Sequence, residues 1–126
     1  MDSVVHFEIP FDDAARVKKF YTDSFGWKIT DVPGMDYVMV ETIETDQKTQ
    51  RPIKPGGING GMLKRKMPGH GPTLVINVDD IDAAVKKSVT NGAKLVVEKM
   101  KVGDMGWTAY LTDTEGNTFG LWQSAG

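Results

Sequence analysis

Apolar and polar residues alternate strictly over residues 4–9. Val5, Phe7 and Ile9 fall on one side, and Val4, His6 and Glu8 on the other. A period of two marks a strand with one face toward a core, and Pro10 is expected to end it. The period then lengthens. Ala14, Val17, Phe20 and Tyr21 recur at helical spacing and predict one buried stripe. Asp12 or Asp13 stands where a side-chain oxygen can cap the first turn, and Gly26 where a helix can end through positive φ. Strands are predicted at 27–30, 37–42 and 58–63. A turn at Pro33-Gly34, a proline-bearing loop over 43–56 and a Gly/Pro connector over 64–72 separate them from their neighbours.

The pattern then restarts. In residues 73–78, Leu74, Ile76 and Val78 face one way and Thr73, Val75 and Asn77 the other. Asp79 or Asp80 caps a helix whose stripe is Ile81, Ala84, Val85 and Val89, closed by Asn91-Gly92. Strands at 94–98, 107–112 and 118–123 complete the chain. The halves align at an offset of roughly 67 residues, and a repeat of that length governs the fold. The order strand, helix, three strands occurs twice, over roughly 1–65 and 72–126, so the expected class is α+β, a single domain of two tandem βαβββ modules. Each helix should cover the apolar face of its own first strand. Ile76→Ala should therefore cost far more stability than Thr73→Ala.

Composition narrows the function. The net charge of -2 contains no basic block, which argues against nucleic acid or an anionic membrane as partner. The absence of cysteine excludes disulfides, thiolate metal sites and a cysteine nucleophile. No apolar run reaches a membrane span of about 18 residues, and no leader is evident ahead of Val4. A cytoplasmic protein is expected.

Several marks, in order and duplicated, resemble the vicinal oxygen chelate superfamily, which contains the glyoxalases, bleomycin-resistance proteins and extradiol dioxygenases. They are His6 in the first strand, Lys19-Phe20-Tyr21 followed by Phe25-Gly26-Trp27, the Asp79-Asp80 junction, and the Asp113-Thr114-Glu115-Gly116-Asn117 turn. The resemblance covers nearly the whole chain and is strongest to small glyoxalase-like proteins. It implies a curved mixed sheet forming a cup, helices outside, and a homodimer. It also implies four cup-facing positions at which the family's metalloenzymes hold a divalent metal: here His6, Gly60 (or its neighbour Gly61), Thr73 and Gly120. Only His6 is a good ligand, whereas a Lewis-acid site needs about three.

No metal or other cofactor is therefore expected, with a divalent metal as the alternative, and the lost ligands argue against glyoxalase I activity. The expected function is metal-independent binding of a small, partly apolar molecule. Its walls would be His6, Glu8, Thr73, Asn77 and Trp122, with Gly60 and Gly120 leaving empty space. Two alternatives stand beside it: a metal-free enzyme using His6 and Glu8 as a catalytic pair for proton transfer, and a metal-dependent lyase or dioxygenase. His70, in the connector, is expected to be solvated. Gly120 could equally be required for backbone conformation.

Overall fold

The computed structural model describes residues 1–66 and 70–126. It has the glyoxalase-like α+β fold, built as two βαβββ modules. The first contains β1 (Val4–Phe11), α1 (Ala14–Phe25), β2 (Lys28–Asp31), β3 (Tyr37–Glu41) and β4 (Asn59–Lys64). The second contains β5 (Thr73–Asn77), α2 (Ile81–Thr90), β6 (Lys94–Val102), β7 (Gly106–Thr112) and β8 (Thr118–Ser124). Two compact units follow this division closely. One is His6–Pro72; the other joins Met1–Val5 to Thr73–Gly126. Within the latter, the carbonyl of Ser3 accepts from the Asn77 N–H at 2.9 Å.

Strand order in the first module is β2-β3-β4-β1, and in the second β5-β8-β7-β6. The opening strand of each module runs parallel to its last strand, β1 with β4 and β5 with β8. The remaining pairs are antiparallel. Pro10 does not end β1: the strand continues through it to Phe11, with Pro10 opposite Leu63. A proline at a strand's far end forfeits one ladder bond without breaking the pairing beside it.

Each module has its own core on the helix side. In the first, Val38, Val40 and Met62 are buried, and Phe7, Ile9, Val17, Tyr21 and Trp27 pack on them. In the second, Val78, Ile81, Ala109, Leu111 and Leu121 are buried, with Ile76, Ala84 and Val85 around them. The parity predicted for β1, β5 and β8 is that observed, but at the strand starts Val5 and Leu74 are exposed rather than covered as expected. Of the two predicted helix stripes only Ile81 is fully buried, and two positions are exposed. Phe20 is 56% and Val89 47% exposed, because each lies at the margin of its helix's apolar face. Phe20 packs edge-on against Tyr21 with centroids 5.0 Å apart.

The helix starts are pinned by side chains. Asp13 accepts from the Arg16 N–H at 2.9 Å, and Asp80 from the Ala83 N–H at 3.1 Å. Gln123, on the last strand, accepts from the Ile81 N–H at 2.8 Å and ties α2 to β8. Gly26 ends α1 at φ 72°. The loop over 43–56 is ordered by Asp46, whose carboxylate accepts from the backbone of Lys48 and Thr49, and by a bridge between Thr45 and Pro52. Part of the connector over 64–72 lies outside the described residues. Its His70 is half-buried rather than fully solvated, and among the described residues its buried Nδ1 has no hydrogen-bond partner.

Burial ranks the core positions differently from face assignment alone. Ile81 and Leu111 are wholly buried, Thr73 is 2% exposed, and Ile76 is only partly buried. Ile81→Ala should cost about 2–5 kcal/mol, and Ile76→Ala less, by urea denaturation. Thr73→Ala should be measurable rather than negligible. Equal losses at Ile81 and Ile76 would contradict this core.

Candidate functional site

In the first module the face opposite the core carries His6 and Glu8 from β1. Register places Asn59 opposite His6, and Gly61 opposite Glu8. Across β3, Gly61 pairs with Met39, and Tyr37 with Leu63. The glycine on this face is thus Gly61, and the expectation for Gly60 is corrected. Gly60 pairs with Phe7 and Val40 on the core side. A Cβ there would lie 2.5 Å from the Phe7 carbonyl oxygen and 2.6 Å from its ring. Gly60 exists so that a core ring can lie against the strand.

Gly61 does not leave empty space either. A side chain there would overlap the hydroxyl and ring of Tyr37. The Tyr37 hydroxyl sits 2.6 Å from His6 Nε2, and the two rings are nearly parallel, with an interplanar angle of 16°. Glu8, 5% exposed, stands two residues further along the same face. Burial lowers the His6 pKa below its ordinary value of 6.5, and the Glu8 charge opposes this by a smaller amount. Asn59 shares the face, but its amide is committed to the start of the preceding loop. It accepts from the Thr42 and Ile43 N–H groups at 2.9 and 3.2 Å and donates to Thr45.

In the second module Thr73, Val75 and Asn77 share a face with Gly120 and Trp122, as expected, and with Thr108 and Tyr110. Gly120 again lies against a tyrosine. A Cβ would come within 3.2 Å of both the Tyr110 ring and a Val75 methyl group. Gly120 is not among the glycines with positive φ, so its role is room rather than backbone conformation. At Gly106 a Cβ would lie 2.2 Å from the Gln123 carbonyl oxygen and 2.9 Å from the Trp122 indole. The Asp113 turn is structural. Its carboxylate accepts from the backbone of Glu115 and Asn117 and from the Asn117 side chain. These bonds, that from the Asn117 backbone foremost, lower the Asp113 pKa.

The metal that the superfamily resemblance implies does not fit these residues. The last-strand positions, Gly61 and Gly120, have no side chain, and Thr73 offers a neutral hydroxyl. Among the described residues no group of three or more His, Asp or Glu side chains could hold an ion. Sequence reasoning leaves Tyr37 and Tyr110 open between lining the cleft and packing elsewhere, because a cross-strand reach is not encoded in either strand alone. A groove of about 400 Å³ beside the first turn of α1, lined by Phe11, Asp13, Arg16, Phe20 and Arg65 among others, was also unforeseen.

The chain belongs to the vicinal oxygen chelate superfamily, among its glyoxalase-like proteins. Residues 3–42 match the bleomycin resistance protein-like N-terminal family. A glyoxylase-like domain-containing protein from Didymella fabae is 31% identical over 119 residues, covering 90% of this chain and 88% of the relative. The glyoxylase-named protein CFP32 of Mycobacterium tuberculosis is 34% identical over 116 residues, 89% of this chain. The match spans only 42% of that relative's length. In fold the chain is similar to the Streptomyces coelicolor methylmalonyl-CoA epimerase, with a TM-score of 0.67 at 18% identity, covering 98% and 97% of the two chains. It is also similar to a hypothetical protein from Bacillus halodurans C-125, with a TM-score of 0.66 at 16% identity, covering 98% and 94%. No helix among the described residues is long and apolar enough to cross a membrane.

Two predictions follow from the site's geometry. Burial favours the neutral His6 imidazole, so protonating it works against the folded state. Its contribution to stability is complete above pH 6.5 and is lost as pH falls through the lowered folded value. Urea midpoints at about pH 5 and about pH 7.5 should differ less in His6→Gln than in the parent. Separately, Gly120→Ala meets only movable side-chain ends and should cost about 1 kcal/mol. Gly60→Ala meets backbone and should cost more. Denaturation of the two variants decides the order.

Proposed function

We propose that this protein binds a small, partly apolar molecule without a metal ion. The observation that carries this is the replacement of donor side chains by glycine–tyrosine contacts at the last-strand positions, Gly61 with Tyr37 and Gly120 with Tyr110. A tyrosine contributes flat apolar area with one polar handle, and faces of that composition suit planar ligands. On the first module's face His6 and Glu8 supply the few polar groups that set orientation, and on the second module's face Thr73, Asn77 and Trp122 are their counterparts.

A second reading is metal-free proton transfer by His6 and Glu8. It is favoured by the buried carboxylate acting on a half-buried imidazole whose pKa lies below the usual value. Turnover abolished by His6→Ala would separate it from binding alone.

The proposal includes a cytoplasmic homodimer, as family resemblance implies. The outer strand β6 supports an interface, since Leu95, Val96, Val97 and Met100 are 37–45% exposed along a sheet edge. Sedimentation as a monomer at micromolar concentration would remove that part.

Elemental analysis and native mass spectrometry of the purified protein test the main claim. The expected result is no stoichiometric nickel, zinc, iron or manganese, together with a co-purified small molecule. About one metal per chain, lost on His6→Ala, would overturn it in favour of a metal-dependent lyase or dioxygenase.

A further inference from the structure

We propose that Tyr37 contacts the ligand and, with His6, recognises the hydroxyl group of a neutral, flat molecule of the phenol or enol class. This rests on the small-molecule reading above and adds to it a residue and a ligand class.

Tyr37 opens β3 opposite Leu63, and its ring reaches diagonally across Gly61 to bring the hydroxyl 2.6 Å from His6 Nε2. Any side chain at 61 would expel it, so the glycine is the condition for the pair. In a hydrogen bond between a phenol and a neutral imidazole either partner can be the donor, according to the imidazole tautomer. Such a pair answers a hydroxyl group, which both donates and accepts, better than it answers a group that only accepts.

Charge narrows the ligand further. On β1, β3 and β4 this face carries no lysine or arginine beside Tyr37, His6 and Glu8; among the described residues its one such cation, Lys28, stands on the edge strand β2 opposite Glu41, at the other end of β3 from Tyr37. A phosphate or carboxylate bound at Tyr37 and His6 would need a cation close at hand, and the buried Glu8 would repel it. Pro10, Met39 and Leu63 give the face its apolar part, and the Tyr37 ring offers a surface on which a planar ligand can stack.

A ring that merely covered Gly61 would serve as well without its hydroxyl, and this separates recognition from packing. The parent and Tyr37→Phe are titrated with p-cresol and with 4-methylanisole, its analogue lacking the hydroxyl hydrogen, by amide chemical shifts. The parent should prefer p-cresol by about tenfold, the weight of one hydrogen bond in a half-buried site. Tyr37→Phe should keep the anisole affinity and lose the preference. Gly61→Ala, which displaces the ring while leaving the hydroxyl in the chain, should lose it too. A Tyr37→Phe protein that still prefers p-cresol, or a parent that binds the two probes equally or binds neither, overturns the proposal. The mass-spectrometric test of small-molecule binding uses neither probe. A protein carrying a bound molecule but lacking the preference refutes the role of Tyr37 alone.

Discussion

How closely an aromatic ring can approach a strand backbone sets the character of both modules. Ordinarily a side chain on the neighbouring strand keeps a ring at a distance. Glycine removes that barrier, and this chain uses it repeatedly: Phe7 lies on Gly60, Tyr37 on Gly61, Trp122 on Gly106 and Tyr110 against Gly120. A glycine inside a strand is costly, since it orders a flexible residue and packs nothing of its own. The ring returns that cost as contact area. On the core side the result is stability alone, with Phe7 passed on to Trp27 and Trp27 stacked on Tyr21 at 4.6 Å. On the opposite face the same device places phenol groups over the last-strand glycines.

The rest of the architecture holds those strands in register. Parallel pairing of the first and last strands fixes which residues of β1 and β5 stand beside the glycines. A shift of one residue would carry every side chain to the other face. The Asp113 turn sets the register of the β7–β8 pair. The Gln123 bond to the first turn of α2 then couples the end of β8 to the helix above the core.

Much of the fold was legible because a duplicated pattern constrains each half by the other. Period-two strands, period-3.6 helices, Asp caps and glycine stops recurred in the same order, so an error in one module was checked by its copy. The faces of β1, β5 and β8 could be read from parity for the same reason. The site was less legible. Gly60 and Gly61 are adjacent, and sequence alone does not say which points toward the core. The Phe7 contact decides it, and that depends on pairing between residues 53 positions apart. Tyr37 and Tyr110 were visible as aromatic residues in strands, but a ring reaching across to a neighbouring strand leaves no trace in its own periodicity. Phe20 and Val89 were misplaced because the width of a buried stripe depends on how the helix lies on its sheet.

The duplication also shows where proton chemistry can reside. Equivalent positions have diverged in one sense: His6 corresponds to Thr73, and the ionisable pair His6 and Glu8 has the neutral Thr73 and Val75 as its counterpart. Both modules keep the glycine–tyrosine contact, but only in the first does an imidazole bind the phenol. A threonine hydroxyl does not change charge near neutral pH, whereas an imidazole does. The second module's face therefore contributes shape and hydrogen bonds. On these two faces a response to pH near neutrality falls to the first, where a lowered His6 pKa favours the neutral imidazole, a proton acceptor. The ancestral symmetry survives in the packing and is broken in the chemistry.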